Sequence, residues 1–490
     1  MKKIKKILFR TFLALAILYL LLLIPSSEKN KGMQLANQPA FVWNSDSLWV
    51  SLEKEFIDAK KLNAAALDSF IRLQQKSLLI DINFLHNNKA DYSDSIYLDI
   101  EKKFFAVAPY VAANPTYNKW YADTYNQFRS IIKKQSQQWH LQNITAKNTL
   151  YRLLYGMRAA TEEVTLQTDS NYLPAAMLVT NEHAATASAS IAGIEVHSGD
   201  ILVSRGGAEV SALISRGNDY PGNFSHIAFL YVDEKTKQPW LIESHIEKGV
   251  AIANVEQYIK DKKLRFMVMR PRFDLPALQA DSMLSHKVAK AMYEESFTRH
   301  IPYDFKMNFH DSVKMFCSEV ASYSYRKKGI QLWQQLSTIS SVGVVNWLHN
   351  FGVDNFITQM PSDLEYDPQL SVVAEWRDPE TLYKDHIDNA VMDAMLEQAN
   401  AGQKVDYNIW QLPVVRLLKA WCFIKNQFGY EGIIPEGMSA TTALKNQWLV
   451  NRNRHITLQV KAAADGFMKA HQYRAPYWQL LVFAREAAQQ

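Results

Sequence analysis

The stretch FSHIAFLYVDEKTKQPWLIESHI, residues 224–246, constrains the fold of this chain more than any other. Two runs of branched and aromatic residues flank a polar EKTK segment, the pattern of antiparallel strands joined by a hairpin. If Asp233 pairs with Gln238 across that loop, Ala228 lies opposite Glu243 and His226 lies opposite His245. Residues two apart on a strand share a face, so His226, Glu243 and His245 project to one side. Ile227, Phe229, Tyr231, Trp240 and Ile242 form an apolar face on the other. A loop one residue longer or shorter would put the polar groups on opposite sides. A buried carboxylate is costly unless it is paired, and a hydrogen bond from Glu243 to His226 would supply that pairing.

The polar side of this hairpin is expected to pack against a later helix, KMFCSEVASYSY, residues 314–325, which carries one of only two cysteines in 490 residues. Val313, Phe316, Cys317, Val320 and Ala321 recur at helical spacing, so Cys317 lies on the apolar face. Packing alone accounts for a buried cysteine, and most single histidines and glutamates on strands are structural or solvated. Thiol chemistry needs more, because a free thiol is only a few per cent thiolate at neutral pH. His226 offers the base and Glu243 the group that fixes the ring. Asp311 and Ser312 could cap the helix early and leave Cys317 a turn inside it, where the helix dipole has faded. The expectation is a helix that begins nearer Met315. Cys422 lies in VVRLLKAWCFIKNQF, where packing is the plain reading, and a Cys317–Cys422 disulfide is the competitor that would remove any thiol chemistry. His245, His300 and His310 lack paired metal-ligand spacing, and GxGxxG and phosphate-loop patterns are absent. No metal and no cofactor are expected.

Around this centre the texture of the chain changes twice. Residues 45 to about 165 carry wide aromatic and aliphatic faces at helical spacing, as in YNKWYADTYNQFRSIIKKQSQQW. From about residue 190, short apolar runs split by Gly, Pro, Asp and Lys read as strands of an antiparallel sheet. After PSDLEYDP the chain is helical to its end. The expectation is an α+β core with an antiparallel sheet, flanked by helical regions. The boundaries are placed at 1–28 for a leader, 29–185 for a helical region, 186–375 for the core and 376–490 for a second helical region. Aromatic-rich helices around 100–130 and 410–425 are expected to wall the cleft.

The leader begins MKKIKKILFR, with five positive side chains, and continues in an unbroken apolar run from Phe12 to Ile24. That is an export signal, and the positive-inside rule puts the bulk of the chain across the membrane. IPSS at 24–27 matches a cleavage site poorly, and the run is short for a span, so a removed signal and an anchor over residues 7–25 both stand. No cysteine follows the run, which excludes lipid modification there. The expected location is the cell envelope, on the periplasmic side. Net charge is +5, spread over the chain without a basic block, so nucleic acid is not expected as a partner.

Five motifs together carry a resemblance: Gly199-Asp200, Ser225-His226, Glu243, Tyr303-Asp304 and Cys317-Ser318-Glu319. Their order and spacing resemble the permuted papain-like cysteine hydrolases, the YiiX/YebB-like branch of the NlpC-type superfamily of cell-wall peptidases. The likeness covers about residues 190–375, and the histidine precedes the cysteine as that branch requires. The resemblance implies a papain-like site with Cys317 as nucleophile, His226 as general base and Glu243 orienting the imidazole. The backbone N–H of Cys317 would help hold an oxyanion, and Tyr303, Asp304 and Ser225 are the oxyanion or substrate candidates. It implies an amide substrate: a small peptide, a peptidoglycan fragment or an N-acyl amino acid. Two alternatives remain open, a thiol acyltransferase or lipid hydrolase at the membrane, and a catalytically silent envelope binding protein.

Overall fold

The computed structural model describes residues 2–25, 36, 38–43, 46–168, 174–261, 263–309, 311–428 and 432–490. His310 and the Ser26-Ser27 end of the leader lie outside the described residues. Strands β1 (Ala176–Leu178), β2 (Ser188–Ile191), β3 (Ile194–His197), β4 (Ile201–Gly206), β5 (His226–Val232), β6 (Pro239–His245), β7 (Gly249–Ala253), β8 (Lys263–Pro271), β9 (Ser337–Thr338), β10 (Ile357–Thr358) and β11 (Leu370–Arg377) follow in chain order. Seven of them form one antiparallel sheet in the order β1-β11-β8-β4-β5-β6-β7. Helices precede it over 46–166 and follow it over 379–488, an α+β fold of the expected kind. Strand β1 pairs with β11 through Ala176 and Trp376 and lies before the expected boundary at 186. Three residues carry too little alternation to announce a strand, and this one takes its register from β11.

The central hairpin folds as its residues dictate. The Asp233 N–H donates to Gln238 O at 3.0 Å, and Ala228 pairs with Glu243. The Asp233 carboxylate accepts from the N–H groups of Lys235 and Thr236, at 3.0 and 2.8 Å, which holds the turn closed. Ile227, Phe229 and Ile242 then join Ile201, Val203 and Met267 in one core, together with Val320, Ala321 and Tyr325 of the helix Cys317–Arg326. Ala228, Leu230 and Leu241 join Leu202 and Val268 on the other face, under Ile191, Ile194 and Val196 of the β2–β3 hairpin. The cysteine helix therefore packs on the face opposite Glu243, not on the polar side as the sequence suggested. The apolar face is the one that a helix can cover without stranding charges.

Gly199-Asp200 is structural. Gly199 has φ +98°, and a Cβ there would come 2.4 Å from the Ser285 Cβ, so only glycine fits. Asp200 takes a two-pronged ion pair from Arg270, both contacts 2.8 Å. The Tyr325 hydroxyl donates to Gly199 O at 2.6 Å and ties the far end of the cysteine helix to β4.

Buried charges lock the flanking helices to the sheet. Arg265 of β8 donates to both oxygens of Glu162, at 2.6 and 2.9 Å, and Arg205 of β4 donates to Asp385 at 3.0 Å. Glu162 belongs to the helix Met157–Leu166 and Asp385 to the helix Pro379–Asn400. Burial opposes the ionised Glu162, but Arg265 and His386 outweigh it and hold its carboxyl well below the usual range. Removing one partner strands the other. Glu162→Ala is expected to cost about 3–5 kcal/mol in urea or thermal unfolding. Glu397→Ala, at an exposed pair with Arg485, should cost about 0–1 kcal/mol. Equal effects of the two substitutions would contradict the locking role.

Candidate active site

Regular helix begins at Cys317, after an extended Phe316 with φ −94° and ψ 171°. Met315 is held in extended conformation by its neighbours. Its N–H donates to Pro302 O at 3.0 Å, its carbonyl accepts from Asp304 N–H at 3.2 Å, and Ser244 Oγ donates to the same oxygen at 2.6 Å. The helix thus starts two residues later than Met315, and Asp311 closes a turn to Val313 N–H at 3.0 Å instead of capping it. A residue in the first turn keeps its N–H outside the intrahelical ladder, which leaves that of Cys317 directed out of the helix end. Glu319 completes the start by accepting from Phe316 N–H at 3.0 Å.

The strand side brings the partners. His226 Nε2 lies 2.7 Å from Glu243 Oε2, and the Cys317 side chain stands near enough to the ring to raise its pKa. With Nε2 engaged by the carboxylate, Nδ1 is the nitrogen left for the sulfur. The Cys317 Sγ lies 3.8 Å from the carbonyl oxygen of Ser225, the residue just before β5. The sulfur reaches the imidazole around the end of the strand, which reconciles a helix on one face with a polar cluster on the other. His245 Nε2 stands 3.7 Å from Glu243 Oε1, and the two imidazole rings are 5.3 Å apart.

The electrostatics follow from these contacts. Burial disfavours a charged His226, but its neighbours Cys317 and Glu243 prevail and raise its pKa to about 9. From 6.5 that is roughly 3 kcal/mol in favour of the protonated ring. Burial likewise works against the Glu243 carboxylate, yet its two histidine neighbours hold it far below the usual range. Glu243 is therefore ionised and accepts, and Nε2–H of His226 donates.

A cleft of about 450 Å³ opens over this cluster, lined by Ser225, His226, Glu243, His245, Tyr303 and Cys317. Burial and the nearby Cys317 raise the Tyr303 phenol well above its ordinary pKa, so the hydroxyl is a donor. Asp304 does not line the cleft. Its carboxylate accepts from the N–H groups of Lys306 and Asn308, at 3.0 and 2.7 Å, and holds the turn after Tyr303. The Ser225 hydroxyl accepts weakly from Gly206 N–H at 3.4 Å, and its carbonyl faces the sulfur.

Lys248 and Lys263 also reach the cleft wall, as does Tyr258. Only folding collects these three from separate segments, and no spacing marks them in sequence. No described residue of 100–130 or 410–425 lines the cleft, which corrects the expectation that those helices wall it. Cys317 and Cys422 are both free and buried, so the alternative disulfide is not formed. Ligand atoms of His226, Glu243 and His245 lie within 4.8 Å of one another, a set that a divalent cation could span. The hairpin register creates that set, which linear spacing did not show.

Residues 195–374 match the family described as permuted papain-like amidase enzyme, YaeF/YiiX, C92 family. This part of the chain is a papain-like cysteine amidase domain of the YiiX-like permuted type. No curated protein matches the chain.

Glu319 gives the site a measurable pH signature. Burial raises its pKa from 4.5 to about 9. A raised carboxyl contributes stability that is complete below pH 4.5 and is lost as pH rises through 9. Glu319→Gln keeps the acceptor for Phe316 N–H without a titrating proton. Its melting temperature is expected to fall less than that of the parent between pH 6 and 9 in calorimetry. Glu319→Ala should cost about 0.5–2 kcal/mol at every pH through the lost cap. Parallel curves for parent and Glu319→Gln would show that Glu319 is ionised throughout.

Proposed function

We propose that this chain is an exported cysteine amidase that cleaves small peptides, peptidoglycan fragments or N-acyl amino acids through Cys317, His226 and Glu243. The observation that carries the reading is the His226–Glu243 hydrogen bond with the Cys317 sulfur beside the ring, all at the floor of an open cleft. In the first step the thiol proton passes to His226, whose raised pKa favours the protonated ring. The Cys317 thiolate attacks the amide carbon, and the C=O electron pair moves onto oxygen. The Cys317 N–H at the helix start and the Tyr303 hydroxyl are the donors for that oxyanion. His226 passes its proton to the departing amine as the C–N bond breaks, leaving a thioester on Cys317. Water then gives a proton to His226 as its oxygen attacks the thioester carbon, the C–S bond breaks, and the acid leaves the Cys317 thiolate beside the protonated imidazole.

Glu243 touches no reacting atom. It is a positioning residue that fixes the ring through Nε2 and favours the imidazolium. The proposed location is the periplasmic side of the envelope, on the strength of the basic start and apolar run. The run is helical over Lys2–Leu22, and among the described residues no helix is long and apolar enough to cross a membrane.

Cys317→Ala is expected to abolish turnover of any substrate that the parent cleaves, and retained activity would refute the mechanism. The pH profile gives a second check. His226 must be protonated to release the amine, so kcat/KM should fall on an alkaline limb near pH 9. Glu243→Gln removes part of what raises that pKa. Its alkaline limb should move to lower pH, with kcat lowered more than KM is changed. A purely structural role for Glu243 would lower the amount of folded enzyme and leave the limb in place.

A further inference from the structure

The helix Leu412–Gln427 is apolar on two sides. Leu412 and Cys422 are buried, in clusters with Leu444 and with Ile434 and Met438. On the other side Val414, Leu417, Trp421, Ile424 and Phe428 follow one another at spacings of three and four, one stripe along a helix. They are 64%, 65%, 58%, 47% and 75% exposed. Trp410, Phe423 and Ile433 nearby are also exposed, at 62%, 60% and 79%. Soluble proteins rarely leave so continuous an apolar surface to water unless something covers it.

The amino-terminal helix Lys2–Leu22 lies against it. The Tyr19 hydroxyl donates to Trp410 O at 2.9 Å, and Arg416 donates to Leu22 O at 2.9 Å and to Ile24 O. Arg416 thereby satisfies carbonyls at the carboxyl end of that helix, whose own apolar side chains, Phe9, Phe12, Leu20 and Leu21 among them, are also exposed. Two exposed apolar surfaces from opposite ends of the chain are joined into one. The joined surface begins in Lys3, Lys5, Lys6 and Arg10 and includes Trp410 and Trp421.

We propose that this joined surface is a membrane-docking face, in which the helix Leu412–Gln427 lies in the headgroup and acyl boundary of an anionic bilayer beside the amino-terminal helix. Cationic side chains at one end, tryptophans at the margin and an apolar stripe are the composition that such a boundary accepts. Lipid phosphates complement these positive charges, whereas a second copy of the chain on the same face would confront them with another set of the same sign. The helix is too short to span and does not need to. It also leads to the cleft. A Cβ at Gly437 would come 2.7 Å from the Phe305 ring, and that ring stacks edge-on against Tyr303 at 5.0 Å. The buried side of the helix, where Cys422 clusters with Phe305, thus stands one aromatic ring from the cleft wall, and the inference holds whatever chemistry the cleft performs.

The test uses the full chain as Cys317→Ala, so that the result is independent of catalysis, with Leu417→Cys carrying an environment-sensitive fluorophore. Leu458→Cys, on the helix Ala440–His471 and 69% exposed, is the control. Vesicles of phosphatidylethanolamine and phosphatidylglycerol, with and without a nitroxide high on the acyl chain, are the probe. Expected are a blue shift at 417 on adding vesicles and several-fold stronger nitroxide quenching there than at 458. A second variant, Leu417→Glu with Trp421→Glu, should lose about tenfold in vesicle partitioning while keeping its circular dichroism. Flotation with vesicles but no quenching at 417 would overturn the proposal, because the amino-terminal helix would then be acting alone. A blue shift that grows with protein concentration in the absence of lipid would overturn it in favour of a second copy of the chain.

Discussion

The register of β5 against β6 is the constraint on which the site depends. It sets Ala228 opposite Glu243 and so brings that carboxylate beneath the ring at the start of β5. A slip of one residue would carry Glu243 to the other face, into the core beside Ile227 and Phe229, where an ionised carboxyl has no partner. The correct register instead buries the apolar set on one side and lets three polar groups satisfy one another on the other. Hydrophobic burial therefore selects the same pairing that builds the His226–Glu243 hydrogen bond. The cost of burying Glu243 is offset by the histidines, and that offset is also what keeps His226 protonated.

The wider structure serves that register. Asp200, Glu162 and Asp385 each neutralise an arginine from β4, the neighbour of β5, or from β8, the strand beyond it. Such buried pairs add little net stability over apolar substitutes, but they penalise every misalignment that separates them. The flanking helices thus fix the sheet from outside without entering the cleft. Aromatic-rich helices were expected to wall it because aromatic content marks both cores and binding sites. Here Phe104, Tyr121 and Phe128 are all core.

Much of this is legible in the residues. The hairpin, its register and the shared side of His226, Glu243 and His245 follow from a period of two and a four-residue loop. The change from helix to sheet and back follows from hydrophobic spacing. What was not legible depends on contacts distant in sequence. The side on which the cysteine helix packs was misjudged because polar groups near a strand end suggested an interface, whereas the helix sought the apolar face. Its start was set two residues late by the Ser244 and Pro302 contacts of Met315, neither of which is local. Asp304 looks like a site residue by its place in a motif, and its carboxylate is consumed by its own turn. Lys248, Lys263 and Tyr258 join the wall from three different segments, with no shared spacing to announce them.

The meeting of the sulfur and the imidazole at a strand end also explains how a permuted order can support this site. His226 and Glu243 are delivered together by one hairpin, a local event. Cys317 arrives on a separate segment, held by Met315 through Pro302, Asp304 and Ser244, with Tyr303 bridged to Met315 on the same stretch. Nothing in that junction depends on which segment comes first. It needs a helix whose first residue is the cysteine, an extended approach that docks beside β6, and a strand whose first residue is the histidine. Because the helix covers the apolar face and reaches past the strand end, chain order can change without altering the hydrogen bonds. The same arrangement places the Cys317 N–H and the His226 ring on two independently anchored elements, so the distance between them rests on the Met315 contacts. Those contacts are backbone and hydroxyl bonds with little freedom to stretch.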